Sequence, residues 1–248
     1  MRRLLPLLLL FTLFLHAETV RGKYVVEYGI FGKMGEATAT LVVKDGRYRV
    51  EMKAWATGLA KVLSGGRVEI YTSEGRVENG RLVPERYTKD IRHSGKRRVK
   101  NYVFNHAEKR VTYIQVRYKD GKKRDTDSGT LPYYAKNDIF SLYFNILKII
   151  GDCGTPFDRT LHAVGAEKKT GRVRVETLTG KEKKEAKELL GDAPCYLRVT
   201  VYQKLFGSKG GKLYLAMRKD NIVTKAVLKD VVMFGDVRGR LVDLKREE

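Results

Sequence analysis

The chain has 248 residues, 42% of them hydrophobic and 32% charged, and its 50 Lys and Arg outnumber its 29 Asp and Glu, for a formal net charge of +21. This hydrophobic fraction is ordinary for a chain that buries a core. After residue 17 no stretch approaches about 18 uninterrupted apolar residues, which excludes a membrane-spanning helix from the rest of the chain. Because no linker, low-complexity tract or internal repeat divides the sequence, we predict a single β-rich domain over residues 18–248.

The chain begins with the sequence MRRLLPLLLLFTLFLHAETV, which has two arginines, an apolar run over residues 4–15, and the small Ala17 before the polar Glu18. This layout is typical of a secretory signal peptide, so we expect residues 1–17 to be cleaved and the mature protein to be periplasmic. A retained membrane anchor is the alternative, but the run is shorter than the roughly 20 residues that cross a bilayer. Cleavage removes only two positive charges, so the mature chain stays strongly basic and favours anionic partners.

Alternating hydrophobic and polar residues run through most of the mature sequence. In TATLVVKDGRYRVEMKAW two β-rich runs flank Asp45-Gly46, a pair that adopts the positive φ angles of a tight hairpin turn. Tyr48 and Val50 share one face of the second run, while charged residues occupy the other. Further turns are expected near residues 94–96, 119–121 and 219–221. The sequence therefore predicts a mainly β fold, a large curled antiparallel sheet or an open, barrel-like β domain.

The segment IRHSGKRRVKNYVF, residues 91–104, is rich in Lys and Arg. Arg97, Arg98 and Lys100 are candidates for contact with an anion, and the alternative is that they form the solvated face of a strand. Since the expected export separates the chain from nucleic acid, we do not expect nucleic acid as a partner. The candidate partners are an anionic lipid, lipopolysaccharide or another envelope polymer, with at most peripheral contact with the membrane.

Residues 137–151, NDIFSLYFNILKIIG, predict a helix with a polar N-cap at residue 137 or 138 and a terminating glycine at 151. Its polar residues form one narrow line and the remainder is apolar, so the helix must be buried on several sides. The residues that we expect to contact an apolar ligand are Phe140, Tyr143, Phe144 and Leu147. Two interpretations stay open: a core helix that fills the concave face of the sheet, or a lid over an apolar cavity.

A shorter helix is expected over residues 179–191, where the sequence is polar and typical of a surface connector. The two cysteines, Cys153 and Cys195, are expected to form one disulfide in an oxidising compartment. A reactive thiol is disfavoured because neither cysteine lies in a nucleophile or Cys-x-x-Cys motif. A zinc site with His162 is disfavoured because the spacing matches no structural zinc pattern. We therefore expect no metal and no cofactor.

The sequence contains no Gly-x-Ser-x-Gly and no His-Glu-x-x-His motif. His93 and His106 lie in or beside turn-like polar sequence, where histidines are more often surface residues than general bases. A site assembled from distant strands leaves no local signature, so the sequence favours a non-enzymatic protein while a hydrolase stays open.

Several longer segments carry a family resemblance. They are YVVEYGIFG from residue 24, Trp55 with Gly58-Leu59, IYTSEG from residue 70, NGRLVPERY from residue 79, NDIFSLYF from residue 137 and KLYLAMRKDNIVTKAVL from residue 212. As a set they resemble a bacterial exported family, domain of unknown function 3108 (DUF3108), over most of the mature chain. The resemblance implies an envelope location and a β-rich fold. It brings no established activity and therefore no functional residues.

Three functional hypotheses follow from the sequence. The leading one is a periplasmic, non-enzymatic binder or carrier of an amphipathic anionic ligand. In this hypothesis an apolar interior holds the hydrocarbon part of the ligand, and a Lys/Arg face contacts its anionic head group. The second is a structural or interaction protein of the envelope, with a solid core and a basic docking face. The third is an envelope hydrolase. Cavity volume separates the first two, because a close-packed interior leaves no room for an acyl chain.

Overall fold

The structure is a computed structural model that describes residues 17–167, 169–202, 211–231 and 235–247. Apart from Ala17, the predicted signal peptide lies outside the described residues. Within these ranges fifteen strands form one sheet, accompanied by three α-helices. The strands are β1 (Glu18–Tyr28), β2 (Lys33–Lys44), β3 (Arg47–Ala56), β4 (Val68–Glu78), β5 (Arg81–His93), β6 (Lys96–Asn105), β7 (Arg110–Lys119), β8 (Lys122–Thr130), β9 (Asn137–Asp138), β10 (Asp158–Val164), β11 (Arg172–Thr177), β12 (Cys195–Val201), β13 (Lys212–Met217), β14 (Val223–Val231) and β15 (Gly235–Glu247). The helices are α1 (Gly58–Leu63), α2 (Ile139–Ile150) and α3 (Gly180–Leu190).

Neighbouring strands follow the order β8-β7-β6-β5-β4-β3-β2-β1-β15-β14-β13-β12-β11-β10-β9. Two antiparallel meanders are therefore joined where β1 pairs with β15, with Thr19 opposite Glu247. The short β9 runs parallel to β10, with Asn137 opposite Ala163, so the sheet is mixed only at this edge of the described chain. The edge strands are β8 and β9, and the sheet is not closed. The predicted mainly β fold with a large, open sheet is confirmed.

Tight turns connect the strands where the sequence predicts them. Asp45 and Gly46 have φ angles of 52° and 68° between β2 and β3, and positive φ recurs at Ser94, Asp120 and Asn221 in three other predicted turns. Aspartate, asparagine and glycine reach this left-handed region at lower steric cost than most residues. The alternation of hydrophobic and polar residues then assigns the two faces of each strand. The hairpins predicted from the sequence are confirmed.

The sheet curls around α2, so that its two halves face each other across the helix. Helix α2 contacts β5 in the first half and β10 in the second, and the edge strand β9 also contacts β5. We call the face that carries α2 the inner face and the opposite one the outer face. The core of the second half lies on the inner face, while α3 packs on the outer face with Ala186 and Leu190 buried against Tyr196 and Ala216. The helix α3, predicted from the sequence over residues 179–191 as a surface connector, is therefore exposed on one side only.

The first half of β5 lacks a strand neighbour on one edge, because β6 pairs with β5 only from Arg86 to His93. Two side chains cover this edge. The Asn145 amide of α2 accepts a hydrogen bond from Leu82 N and donates one to Leu82 O, both at 2.8 Å. His106 Nε2 lies 2.6 Å from the carbonyl oxygen of Pro84, a residue without an N–H and hence suited to a strand edge. Side chains thus replace a missing strand.

The disulfide predicted between Cys153 and Cys195 is present, with a Cα–Cα distance of 5.4 Å. It joins the segment after α2 to the start of β12, and Cys195 is buried in the same apolar cluster as Leu142 and Ile146 of α2. The bridge therefore fixes the end of the helix to the second half of the sheet.

Candidate functional site

Helix α2 begins at a buried polar cluster. The Asp138 carboxylate caps the helix by accepting hydrogen bonds from the backbone N–H groups of Phe140 and Ser141 at 2.8 and 3.1 Å, and Ser141 Oγ accepts one from Asp138 N at 2.9 Å. This reciprocal arrangement is a capping box. Ser73 of β4 donates to Asp138 at 2.6 Å and lies 2.8 Å from the hydroxyl of Tyr48 on β3. The cap therefore also anchors the helix to the first half of the sheet.

Burial is the main influence on the pKa of the capping carboxyl of Asp138. Asp138 is 0% exposed, and the loss of hydration raises its pKa to about 6, although the hydrogen bonds from Ser73, Phe140 and Ser141 oppose this shift. The carboxyl is nevertheless part of the helix attachment, because all of its partners belong to the cap or to β4.

The helix is attached to both halves of the sheet. Asn145 bonds to Leu82 on β5, as described above, and is 4% exposed. On the other side, the hydroxyl of Tyr143 accepts a hydrogen bond from Val223 N of β14 at 3.0 Å. The helix thus spans the space between the halves with polar contacts at either side of an apolar body.

The two sides of α2 have different surroundings. Phe140 packs against Tyr71 and Tyr87 of the first half, with ring centroids 6.1 Å apart in both pairs. Phe144 joins it against the cluster of Tyr48, Val50 and Leu82. Toward the second half the packing is incomplete, and an apolar cavity of about 290 Å³ lies between the helix and strands β10–β13.

The cavity walls consist almost entirely of aliphatic side chains. Helix α2 contributes Ile139, Leu142, Tyr143 and Ile146, and the facing strands contribute inward residues such as Val175, Val199 and Leu215. Gly165 and Ala166, in the turn after β10, form another part of the wall. A volume of about 290 Å³ lies at the lower end of the roughly 300–1,000 Å³ that small-molecule sites occupy.

The structure separates the four predicted apolar contact residues. Tyr143 lines the cavity, whereas Phe140 and Phe144 face the aromatic and aliphatic packing of the first half. Leu147 packs against the core cluster of the second half without lining the cavity. The sequence reasoning missed Ile139, Leu142 and Ile146, whose helical spacing marks one face of α2; it favoured the larger aromatic residues instead.

The predicted anion-contact residues lie on both faces of β6. Arg97 is on the outer face, where it makes two hydrogen bonds of 2.9 Å to the carboxylate of Asp90 and stacks near Tyr118. Arg98 and Lys100 are on the inner face, in line with the buried Tyr102. Alternation along a strand requires this division, and Arg97 is already matched by a carboxylate.

Lys89 of β5 belongs to the same inner surface and was not singled out from the sequence. It lies directly opposite Lys100, and its ammonium group donates a hydrogen bond of 3.1 Å to the carbonyl oxygen of Gly165. Burial, reinforced by the charge of Lys100, lowers the pKa of Lys89 to about 8. Beneath it, the hydroxyl of the fully buried Tyr87 has no hydrogen-bond partner among the described residues.

Other candidate sites are less organised. The described residues contain no group of three or more His, Cys, Asp or Glu side chains that could hold a metal ion. His106 bonds to Tyr134 and to Pro84, which is a structural role, and His93 lies at the β5–β6 turn. A depression of about 440 Å³ beside this turn is lined by turn residues such as Gly65 and Ser94 and by basic side chains that include Arg97, and it lacks the aliphatic walls of the cavity under α2.

Together, the fold and the cavity define an open, curved β-sheet protein with a helix across its inner face and an apolar space beneath that helix. A family model matches residues 23–242, and the chain belongs to the family described as protein of unknown function (DUF3108). The family resemblance seen in the sequence is thereby confirmed. None of the described helices has the length and apolar character needed to span a membrane.

Among solved structures, the chain is similar to the crystal structure of a beta-barrel-like protein of domain of unknown function DUF1849 from Brucella abortus. Sequence identity is 10%, the TM-score is 0.48, and the match covers 93% of this chain and 98% of the other. No curated protein matches the chain.

Proposed function

We propose that the protein is a non-enzymatic binder or carrier of an apolar or amphipathic molecule, which it holds between α2 and strands β10–β13. The observation that carries this proposal is the cavity of about 290 Å³ with aliphatic walls. Burial of apolar surface is favourable without directional contacts, at about 25 cal/mol per Å². Such walls therefore provide affinity for a hydrocarbon chain without a set of polar partners.

The volume restricts the ligand. An engineered apolar cavity of about 150 Å³ in another protein binds benzene, and the cavity under α2 has roughly twice that size. A single acyl chain or a comparable apolar group matches this space better than a lipid with several chains. The sequence leaves two interpretations of α2 open, a core helix and a lid above an apolar cavity. The cavity favours the second interpretation, in which α2 covers a space that binds a ligand.

A solid-core interaction protein of the envelope is the competing hypothesis. It expects a close-packed interior, in which voids larger than a water molecule are few. The space beneath α2 is far larger than a water molecule, so this hypothesis ranks second. A hydrolase ranks third, because the described residues that line the cavity include no Asp, Glu, His, Cys or Lys that could act as an acid, a base or a nucleophile.

A periplasmic location is part of the proposal. Its support is the secretory layout of residues 1–17 and the disulfide between Cys153 and Cys195, a bond that persists in oxidising compartments. An envelope location also provides the ligand class, because acyl chains are abundant there.

Native mass spectrometry of the protein purified from the periplasm tests the proposal. A stoichiometric lipid, identified after solvent extraction, is the expected result. An apo mass that persists after incubation with envelope lipids would contradict ligand binding and favour the solid-core hypothesis.

A cavity-filling variant tests the location of the site. Val199 lines the cavity and is partly exposed, so Val199→Phe reduces the space with little strain. Val103→Phe is the matched control, because Val103 is a half-exposed valine on the outer face of β6. Titration with the neutral fluorophore N-phenylnaphthylamine should show at least about tenfold weaker binding for Val199→Phe and no change for the control. Equal affinities in all three proteins would place the binding outside this cavity.

A further inference from the structure

The short helix α1 carries its apolar side chains in solvent. Leu59, Val62 and Leu63 are 52%, 76% and 75% exposed, and α1 contains no buried residue. Their spacing of three and four positions places them on one face of the helix. An apolar helix face normally packs against a core, whereas a group of exposed apolar side chains is typical of a surface that contacts a partner. We call Leu59, Val62 and Leu63 the apolar tip.

Hydrogen bonds join the segment after α1 to two turns at the same end of the sheet. The carbonyl oxygen of Gly65 accepts a hydrogen bond of 2.8 Å from Ser94 N in the β5–β6 turn. The carbonyl oxygen of Gly95 in that turn accepts one of the same length from Asp120 N in the β7–β8 turn. The apolar tip therefore belongs to one continuous edge of the molecule. We call residues 57–67, 93–96 and 119–122 the rim.

A row of basic side chains crosses the rim. Lys96 of β6 lies directly opposite Lys119 of β7, which in turn lies opposite Lys122 of β8. His93 of β5 continues the row next to Lys96. Like charges placed directly opposite each other destabilise a sheet, so an anion across this row would relieve their repulsion. With Lys61 of α1, which is exposed like the other three, we call these four residues the rim lysines.

The carboxylates near the rim lysines do not neutralise the rim. Those in the adjoining strand ends form other ion pairs: Glu36 with Lys33, Glu69 with Arg67, Asp90 with Arg92 and Arg97, and Asp125 with Arg117. Asp236, at the start of β15, lies at the same end of the sheet but is separated from α1 by β1 and β2. Asp120, the one carboxylate of the rim, reaches over Gly95, where it would meet an added Cβ. It offsets at most one of the four lysine charges.

The depression of about 440 Å³ described above opens within the rim. His93, Lys96 and Arg97 line it on the side of the lysine row, and Gly65 and Gly66 line it on the side of α1. It therefore provides a basic recess of small-molecule size beside the apolar tip.

We propose that the rim docks on the surface of an anionic lipid bilayer, with the apolar tip inserted among the head groups and the rim lysines against the lipid phosphates. Charge complementarity supports this partner, because each lysine near an anionic bilayer strengthens binding by roughly fivefold. The small apolar tip also favours a bilayer over a protein, since a stable protein interface buries about 800 Å² per partner and is depleted in lysine. This inference goes beyond ligand binding under α2 and does not depend on it.

Co-sedimentation with vesicles tests the inference. The protein purified from the periplasm is mixed with vesicles of phosphatidylcholine alone, or of phosphatidylcholine and phosphatidylglycerol in equal amounts. We expect at least about tenfold tighter binding to the anionic vesicles. Lys96→Gln/Lys119→Gln should weaken that binding by roughly thirtyfold, and Val62→Gln/Leu63→Gln by at least about tenfold.

Each double variant has a matched control away from the rim. Lys183→Gln/Lys184→Gln removes two exposed charges from α3. Val103→Gln/Ile114→Gln removes two half-exposed aliphatic side chains from the outer face of β6 and β7. Both controls should bind the anionic vesicles within about twofold of the wild type, since exposed substitutions of this kind have little effect on folding.

The outcomes decide whether the rim is the docking surface. Equal binding to both kinds of vesicle, or an equal loss in a control variant, overturns the inference. Absence of vesicle binding also overturns it and assigns the apolar tip to a protein partner. Added salt provides a second measurement on the wild-type protein, independent of the folding of any variant. It should weaken binding to the anionic vesicles, and binding that is insensitive to salt contradicts a contact with the rim lysines. None of these results bears on the cavity, which the fluorophore titration tests separately.

Discussion

The attachment of α2 to β5 depends on one amide side chain, and its removal should destabilise the protein strongly. Asn145 makes two hydrogen bonds of 2.8 Å to the backbone of Leu82 and one of 3.1 Å to Asn137. Asn145→Ala removes all three. The N–H and C=O groups of Leu82 face an edge that β6 does not cover, so both lose their partner.

The magnitude follows from the burial of these groups. Asn145 and Leu82 are 4% and 7% exposed, so water replaces the lost partner incompletely. A buried polar group left without a partner costs about 1–3 kcal/mol. Two such groups make the expected loss in the free energy of unfolding about 2–6 kcal/mol, a large part of the roughly 5–15 kcal/mol that stabilises a typical domain.

Equilibrium denaturation in urea, followed by far-UV circular dichroism and by the fluorescence of Trp55, measures this loss. Trp55 is the single tryptophan of the chain. The matched control is Lys148→Ala, which removes a hydrogen bond from the same helix to Gly80 but at an exposed position. The control should cost less than about 1 kcal/mol. If Asn145→Ala costs no more than the control, Leu82 is hydrated and α2 is not held to β5 by this amide.

Three further predictions concern buried polar groups and the disulfide. Burial raises the pKa of Asp138 to about 6 against 3.8 in an unfolded chain, so its stabilising effect is complete below about pH 4 and declines as the pH rises through 6. Relative to Asp138→Asn, the wild type should lose about 2 kcal/mol between about pH 4 and pH 7, and a pH-independent difference contradicts this. Tyr48→Phe should cost about 1–2 kcal/mol in urea denaturation because it removes the hydrogen bond to Ser73. Tyr87→Phe should cost less than about 0.5 kcal/mol, since the hydroxyl has no partner among the described residues, and a loss as large as that of Tyr48→Phe would refute the assignment. Replacing Cys153 and Cys195 by Ala should cost about 4 kcal/mol, because the bridge closes a loop with a sequence separation of 42; denaturation midpoints that coincide with and without the bridge would contradict this.

Local signals in the sequence were sufficient for the elements but not for the site. The Asp-Gly turns and the alternation of Tyr48 and Val50 predict hairpins, because turn geometry and strand faces depend on neighbouring residues. The short helix α1 was not predicted from the sequence. It spans only Gly58–Leu63, contains no buried residue and follows Thr57 without a side-chain cap, so neither a periodic pattern nor a capping motif marks it.

The candidate site shows where the periodicity of a strand is more informative than the density of charge. Arg97 and Arg98 are adjacent in the sequence and were grouped as one anion contact, yet consecutive residues of a strand point to opposite faces. Applying that rule assigns Arg98 and Lys100 to one face, together with the buried Tyr102. Lys89 joins Arg98 and Lys100 on this face only through the pairing of β5 with β6, which the sequence alone does not give.

The sequence by itself determined the β-rich architecture, the ends of α2, the pairing of the two cysteines and the family. These properties depend on short-range patterns, or on the small number of partners that two cysteines allow. The tertiary structure decided which side of α2 packs tightly and which side borders a cavity, because this depends on the curl of the whole sheet. It also brought Gly165 next to Lys89, 76 positions away in the chain. No local pattern encodes such a contact, since it exists only when the two halves of the sheet close around the same helix.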